Sequence, residues 1–193
     1  MNGDQNAATW MAVESAKPIG AQCPSGRVAF RASRNALSAT PIHRVTARVL
    51  PVSSTGAVLL LQERDPARPG ELYWSSIGGA VDSGESLPEA AVRELWVETG
   101  IVVGADLLTA PVHRGVQAYS WDGVDNVADS TYFVVPLDDH VEVNFDHLEP
   151  EEVGNVLAAG WWTAVALAGV AFRPPDLPEI MSTALTAYAD RPR

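Results

Sequence analysis

Two glutamates one helical turn apart, Glu94 and Glu98, are the side chains of this sequence best suited to chemistry. On a helix they would share a narrow stripe with Ala90 and Ala91, and such a stripe is expected to face the protein interior. Two carboxylates there repel each other, and they cost more free energy if they lose water without gaining a partner. A divalent cation removes both penalties, and hard carboxylate oxygens favour Mg²⁺ or Mn²⁺. The pair therefore indicates a metal site.

The residues on either side of this pair define a helix. Ser86 and Glu89 have the spacing of a capping box, in which each side chain accepts a hydrogen bond from the backbone N–H of the other residue. Pro88 falls in the first turn, where a missing N–H costs nothing. Gly100 suits the left-handed conformation that commonly closes a helix. The sequence therefore predicts a helix over about residues 87–98.

An ordinary amphipathic helix is the alternative interpretation of this segment. In that case Glu94 and Glu98 would extend to solvent. Arg93 would then pair with Glu89 four residues earlier, a contact worth about 0.3–0.5 kcal/mol at a surface. The helix pattern alone leaves both interpretations open.

The longer segment 79–101 resembles the Nudix box, G-x5-E-x7-R-E-U-x-E-E-x-G-U, in which U is aliphatic. It reads GAVDSGESLPEAAVRELWVETGI and departs from the pattern at one defining position, where Val97 replaces the first glutamate of the pair. Ile77 also stands where a proline often precedes the two glycines. The resemblance implies a hydrolase of nucleoside diphosphate derivatives that uses Mg²⁺ or Mn²⁺. It also implies that Val97 removes one anionic oxygen ligand beside the metal.

The resemblance implies a role for each polar residue of the motif. Glu94 and Glu98 are the principal metal ligands, and the backbone carbonyl of Gly78 is a further one. Arg93 pairs with Glu85 and holds the loop before the helix, a role compatible with the surface pair described above. The catalytic residues expected from the motif are therefore Glu94, Glu98, Arg93 and Glu85.

Candidates outside the motif are less specific. The resemblance also implies an additional carboxylate from a distant loop, as many members of the family supply one. Glu151 or Glu152 is the candidate and Glu152 is the one we name as a metal ligand, although acidic loops are commonly just solvated. Arg44, Arg48 and Arg64 are candidates for contacts with diphosphate oxygens through forked hydrogen bonds. An arginine in such a position is more often an ordinary surface residue than a ligand. The four histidines show no metal-ligand spacing.

The charge balance narrows the class of ligand. The sequence has 13 Lys and Arg against 24 Asp and Glu, a net charge of −11. Such a chain repels long polyanions, which argues against sequence-independent binding of DNA or RNA. The expected partner is a small phosphorylated substrate, a nucleotide derivative, and a homodimer is left open. With the single cysteine Cys23 and no run of 18 apolar residues, we expect a cytoplasmic protein without a membrane span.

The rest of the chain predicts an α/β fold. We expect residues 1–40 to be a poorly ordered leader and residues 41–190 to form the Nudix hydrolase domain. Strands separated by one helix and followed by another indicate an α/β/α sandwich with a mixed β-sheet, which is also what the resemblance implies. Trp74, Trp161 and Trp162 are expected to be core aromatics of this sandwich.

The individual elements follow from apolar alternation and turn residues. In the first strand Val45, Ala47 and Val49 are expected on one face. Thr163 is a candidate cap for a short helix. The predicted strands span residues 43–52, 57–62, 101–103, 112–121 and 131–135. A loop is predicted over 63–71, a turn over 122–129 and a closing helix over 178–188.

Hydrolysis of a diphosphate linkage by water is the leading functional expectation, and two alternatives compete with it. A Nudix module that binds a nucleotide as a sensor would follow if Val97 has weakened catalysis. Against a regulator, the sequence contains no DNA-binding pattern. Isopentenyl-diphosphate isomerase shares the fold but uses a cysteine in its core, whereas Cys23 lies in the predicted leader, before the first strand.

Overall fold

A computed structural model describes residues 40–191 of the chain, and these residues lie within one compact unit. The predicted leader, apart from Thr40, lies outside the described residues, as does Cys23. Within residues 40–191, no helix combines the length and the apolar character that crossing a membrane requires.

Seven strands and two α-helices make up the domain, with two short 3₁₀ turns at Ala105–Leu107 and Ala166–Gly169. In chain order the elements are β1 (Ile42–Val52), β2 (Val58–Asp65), β3 (Arg68–Ser75), β4 (Ile77–Ala80), α1 (Leu87–Thr99), β5 (His113–Trp121), β6 (Val124–Pro136), β7 (Val156–Trp162) and α2 (Leu177–Ala189).

The seven strands form a mixed sheet with two arms, one made of β1, β4, β5 and β6 and the other of β2, β3 and β7. The main path runs β3-β2-β1-β6-β5, with β4 added to β1 and β7 added to β2. Among the seven strands of residues 40–191, β1 and β6 pair with each other in parallel, and the other strand-to-strand pairings are antiparallel. The registered contact between β1 and β2 is the single pair Val52 and Val58, after which β1 pairs with β4 over Thr46–Val49. The two arms therefore separate beside β4, where the motif begins.

Each face of the sheet is covered by one helix. Ala90, Ala91 and Leu95 of α1 pack with Leu59 and Leu61 of β2 in one core. The other core joins α2 to alternate residues of the same strands, with Leu177, Ile180 and Met181 packed against Val58, Leu60 and Leu50. Since both faces are buried there, the first half of β2, residues 58–61, is a continuous apolar run rather than an alternating one. The predicted α/β/α sandwich with a mixed sheet is confirmed.

The predicted loop 63–71 is wrong, because this segment forms a hairpin. β2 continues to Asp65, and β3 begins at Arg68. Asp65 stabilises the tight connection by accepting a hydrogen bond from the Ala67 N–H at 3.0 Å. Pro69 and Gly70 pointed to a loop, but β3 ends the main strand path, where a missing ladder donor is tolerated.

Three other element predictions need correction. Residues 101–103 form no strand: Ile101 is a core residue in irregular backbone directly after α1. The predicted turn 122–129 is limited to Asp122 and Gly123, which both have positive φ, as a two-residue hairpin turn requires. β6 therefore starts at Val124. Trp161 and Trp162 lie in β7, a strand that the sequence did not predict.

The remaining element predictions hold with small changes at the ends. Strand 112–121 and helix 178–188 correspond to β5 and α2. In β1, Ala47 and Val49 reach the α1 core as predicted, whereas Val45 is 55% exposed because it lies beyond the part of the strand that α1 covers. The Thr163 hydroxyl accepts a hydrogen bond from the Ala166 N–H at 3.3 Å, at the start of a 3₁₀ turn.

Candidate active site

Helix α1 begins and ends where the sequence predicts. The capping box at Ser86 and Glu89 is formed, with the Ser86 N–H donating to Glu89 Oε2 at 2.8 Å and the Glu89 N–H donating to Ser86 Oγ at 3.4 Å. Gly100 closes the helix in the left-handed conformation, at φ 72°, and its N–H donates to the carbonyl oxygen of Trp96. These caps set the two ends of α1, and packing of Ala90, Ala91 and Leu95 against the sheet sets the stripe that points inward.

The two motif glutamates lie on that inward stripe. Glu94 is 5% exposed and Glu98 is 4% exposed, in line with the fully buried Ala90 and Ala91. Burial raises the pKa of both carboxyls, because the charged form loses water; the Arg93 guanidinium opposes the effect at Glu94. The predicted placement of the pair is confirmed. The alternative, in which Glu94 and Glu98 extend to solvent from a surface helix, is wrong because both are buried.

The two glycines bring the β4 backbone directly against these carboxylates. The Gly78 N–H donates to Glu98 Oε2 at 2.7 Å. A Cβ at Gly79 would lie 2.7 Å from Glu94 Oε1, so any other residue there would displace that carboxylate from its present position. The structure therefore places the Gly78 amide at Glu98, and metal ligation by the Gly78 carbonyl stays a prediction.

Arg93 ties the loop before the helix to the site. Its Nε and Nη2 atoms donate to the two carboxylate oxygens of Glu85 at 2.9 and 3.0 Å. Nη2 also donates to the Ala80 carbonyl at 2.9 Å, and Nη1 donates to Glu94 Oε1 at 2.8 Å. The expected pairing with Glu85 is present. Across residues 40–191 no ion pair joins Arg93 to Glu89, whose carboxylate is held by Ser86 instead.

Glu152 is brought to the two motif glutamates from the turn before β7. It is half-buried, whereas the neighbouring Glu151 is exposed. The Glu149 N–H donates to Glu152 Oε2 at 2.9 Å and orients the side chain. The negative charge of Glu152 raises the pKa of both Glu94 and Glu98, and burial raises the pKa of Glu152 itself. Of the two candidates in this loop, Glu152 is the one whose charge affects both Glu94 and Glu98, and its role as a metal ligand stays a prediction.

The three candidate arginines lie in different surroundings. Arg48 is half-buried, donates from Nη1 to the Ser76 carbonyl at 3.1 Å, and its positive charge lowers the pKa of Glu98. Arg64 extends along the Glu152 turn, where its Nε donates to Asn155 Oδ1 at 3.4 Å. Arg44 is exposed on β1 and makes no ion pair with another residue between 40 and 191. Arg48 and Arg64 therefore lie at or near the site, and Arg44 lies apart from it.

Glu63 on β2 is a site residue that the sequence interpretation missed. Its charge raises the pKa of Glu98 and of Glu152, so it belongs to the same group of carboxylates. Burial raises the pKa of Glu63, and Arg48 opposes that effect. Alternation from Leu59 and Leu61 would have placed Glu63 on the α1 side of the sheet. The predicted loop 63–71 ended this alternation one residue too early to include Glu63.

The three tryptophans expected in the core, Trp74, Trp161 and Trp162, pack against it. Trp74 and Trp162 pack against the α2 core with their ring centroids 4.8 Å apart, while Trp161 packs against the α1 core. Their expected role as core aromatics is confirmed.

The donor chemistry of the site fits a hard divalent cation. Glu94 and Glu98 present carboxylate oxygens that are almost fully buried, and Glu63 and Glu152 add two more carboxylates near them. Arg93 and Arg48 offset only part of this charge. Buried carboxylates without full compensation are unfavourable, and an oxygen-liganded cation such as Mg²⁺ or Mn²⁺ compensates them.

The distances between possible ligand atoms alone would favour a different group of residues as the metal site. In the part of the chain that the structure describes, the one set of three acidic or histidine residues with ligand atoms within 4.8 Å of one another is Asp138, Asp139 and His140. The glutamates of the motif are more widely spaced. We nevertheless place the candidate metal site at the glutamates, because the His140 side chain is 92% exposed and surface acidic groups have no need of a cation.

Comparison with known proteins places the fold in a family. The chain matches the family model of the NUDIX domain over residues 42–182. Its similarity to a relative of described activity is local: dihydroneopterin triphosphate diphosphatase of Escherichia coli (strain K12) is 41% identical over 61 residues. This match covers 32% of the present chain and 38% of that relative.

Solved structures share the fold over most of the domain. The MutT protein of Methanosarcina mazei Go1 matches with a TM-score of 0.58 at 17% identity, covering 80% of this chain and 100% of that one. The E. coli dihydroneopterin triphosphate pyrophosphohydrolase matches with a TM-score of 0.55 at 23% identity, covering 75% of this chain and 98% of that one. A C. elegans Ap4A hydrolase matches with a TM-score of 0.51 at 18% identity, covering 77% of this chain and 99% of that one. At these identities the likeness concerns the fold alone.

Proposed function

Because this chain belongs to the Nudix family, we propose that it is a metal-dependent hydrolase that cleaves the diphosphate linkage of a nucleoside diphosphate derivative by attack of water on phosphorus. The observation that carries the proposal is the pair Glu94 and Glu98, buried one turn apart on α1 and in contact with the two glycines of β4. A buried carboxylate pair of this kind is costly unless a cation is part of the working protein.

The chemistry of phosphoryl transfer matches what these residues offer. In such reactions the protein positions the reactants and stabilises the charge that develops, and it contributes little covalent chemistry. Glu94, Glu98 and Glu152 would hold the cation, with the Gly78 carbonyl as a further oxygen ligand. A bound Mg²⁺ or Mn²⁺ supplies a Lewis acid and lowers the pKa of water.

The remaining site residues would position the reactants. Arg93 and Glu85 fix the loop that leads into α1, and Arg93 also orients Glu94 through its 2.8 Å contact. Arg48, and less directly Arg64, would meet diphosphate oxygens through forked hydrogen bonds. The exposed Arg44 is the weakest of the three candidates.

The substrate is proposed to be a small nucleotide-like diphosphate. The locally similar E. coli relative is a dihydroneopterin triphosphate diphosphatase, which suggests a triphosphate or diphosphate ester that carries a heterocycle. The net charge of −11 disfavours long nucleic acids. A cytoplasmic location is part of the proposal, on the basis of the single cysteine.

A nucleotide sensor is the second candidate function, and Val97 is the observation in its favour. This residue is 7% exposed and offers no ligand atom at the position where the Nudix box has a glutamate. A site with fewer charges would bind the cation less tightly and could retain the nucleotide without cleaving it.

A substrate panel tests the two functions against each other. The purified protein is incubated with Mg²⁺ and with dinucleotides, nucleotide sugars, nucleoside triphosphates and pterin triphosphates, and phosphate-containing products are measured. We expect turnover of at least one compound, and its loss in Glu98→Gln but not in Glu142→Gln, a matched change at an exposed glutamate. Absence of turnover across the panel, with nucleotide binding retained, would favour the sensor.

A further inference from the structure

Glu63 lies where β2 passes the site. Along this strand, Leu59 and Leu61 point into the α1 core. Strand side chains alternate between the two faces, so Glu63 continues the row of Leu59 and Leu61 on the face that carries α1. It is the first polar residue of that row, and it is half-buried.

An irregularity in the sheet occurs at this residue. The register between β2 and β7 shifts between Gln62 and Glu63, and Glu63 is opposite Val156. The Val156 N–H donates to the Glu152 carbonyl at 3.0 Å, so Glu63 is next to the turn that carries Glu152. The extra residue of this bulge is Leu157 on β7, so β2 keeps its alternation through Glu63, and bulges recur beside active sites.

The carboxylate of Glu63 has polar neighbours but no ion-pair partner within residues 40–191. Burial raises its pKa, and the charge of Arg48 together with the hydroxyl donors of Ser75 and Tyr73 opposes that effect. The Ser75 hydroxyl oxygen is itself buried without a hydrogen-bond partner, in a side chain that is 7% exposed. The Glu63 carboxylate and the Ser75 hydroxyl therefore lie close together on the α1 side of the sheet, and both keep hydrogen-bonding capacity that a ligand there would use.

Val97 supplies the reason for a ligand at this point. The α1 position that carries a glutamate in the Nudix box holds a buried valine here, so α1 contributes one carboxylate fewer. We propose that Glu63 takes the place of that glutamate, as an additional carboxylate ligand of the same divalent-cation site, supplied from β2 instead of α1. The proposal rests on the proposed function, because it requires that Glu94 and Glu98 hold a cation.

Binding of Mn²⁺, followed by the electron paramagnetic resonance signal of the free ion, tests this role without any substrate. Glu63→Gln keeps the shape of the side chain and removes its charge. Glu71→Gln is the matched control, since Glu71 is an exposed glutamate on the neighbouring strand β3. We expect Glu63→Gln to weaken Mn²⁺ binding at least about tenfold, the lower end of what is lost when a group that supports a metal site is removed. Glu71→Gln should bind as the natural protein does.

The outcomes separate this inference from the function on which it rests. If the natural protein binds no Mn²⁺, or if Glu98→Gln binds it undiminished, the proposed function itself fails. If Glu98→Gln loses Mn²⁺ while Glu63→Gln binds as tightly as Glu71→Gln, only the role of Glu63 is overturned. Should Glu63→Gln melt early, Glu63→Asp replaces it. That variant keeps the charge but withdraws the carboxylate, so weaker binding supports a ligand, whereas unchanged binding identifies a charge partner of Arg48.

Discussion

Replacing Arg93 with alanine should destabilise the protein by about 2–4 kcal/mol, because one guanidinium links three parts of the site. It donates twice to Glu85 at 2.9 and 3.0 Å, once to the Ala80 carbonyl at 2.9 Å, and once to Glu94 at 2.8 Å. The alanine variant loses all four hydrogen bonds. It also leaves the Glu94 side chain, which is 7% exposed, without its cationic partner.

The magnitude follows from the burial of the three charged groups. Hydrogen bonds to charged groups contribute about 1.5–3 kcal/mol, and removing one partner of a buried pair costs about 3–5 kcal/mol. The Arg93 side chain is 25% exposed and Glu85 is 15% exposed, so solvent screening reduces the upper figure. Arg93→Lys keeps the charge but not the fork, and we expect it to lose about 1–2 kcal/mol.

Urea unfolding followed by circular dichroism measures these losses, provided that the slope of the free energy against urea is unchanged. Arg114→Ala is the control, because Arg114 is exposed on β5 and makes no ion pair with the residues that the structure describes. A loss for Arg93→Ala no larger than for Arg114→Ala would refute the argument that Arg93 holds the loop and α1 together.

Three further predictions address other parts of the fold and the site. Gly78→Ala should cost about 2 kcal/mol or more in thermal or urea unfolding, because φ is 128° and a Cβ would overlap the carbonyl oxygen of Ala47; a neutral effect would contradict the close approach. Burial raises the pKa of Asp65, but hydrogen bonds from backbone N–H groups, including that of Asp122, outweigh it and leave the pKa below the ordinary 3.8. Asp65→Asn should therefore cost about 1–3 kcal/mol at pH 7, and this difference should shrink as the pH falls below 3.8; an equal difference at pH 7 and at about pH 3 would contradict it. Val97→Glu should tighten Mn²⁺ binding about tenfold by adding a ligand charge, whereas an unchanged titration would show that position 97 points away from the site.

Local rules were sufficient to predict the helix that carries the site. The capping box at Ser86, the closing Gly100 and the spacing of Glu94 and Glu98 all act within a few residues of one another. Each therefore gave the correct boundary or the correct face before any tertiary contact was known. The resemblance to the Nudix box added the pairing of Arg93 with Glu85, which the helix pattern alone did not specify.

Contacts between distant segments were beyond these rules. Glu63 and Arg48 reach the site because two arms of the sheet separate beside β4, and that separation depends on pairings between strands far apart in sequence. The hairpin of β2 and β3 was missed for a similar reason. Pro69 and Gly70 favour a loop locally. A sheet tolerates them in β3 because this strand lies at the end of the strand path, and that position depends on the whole sheet.

Anomalous diffraction from crystals soaked in Mn²⁺ tests directly whether Glu94 and Glu98 hold a cation, because it locates the ion without reference to a substrate. We expect a peak in contact with the carboxylates of Glu94 and Glu98. A peak found only at Asp138, Asp139 and His140, or no peak in crystals soaked well above the solution dissociation constant, would contradict it.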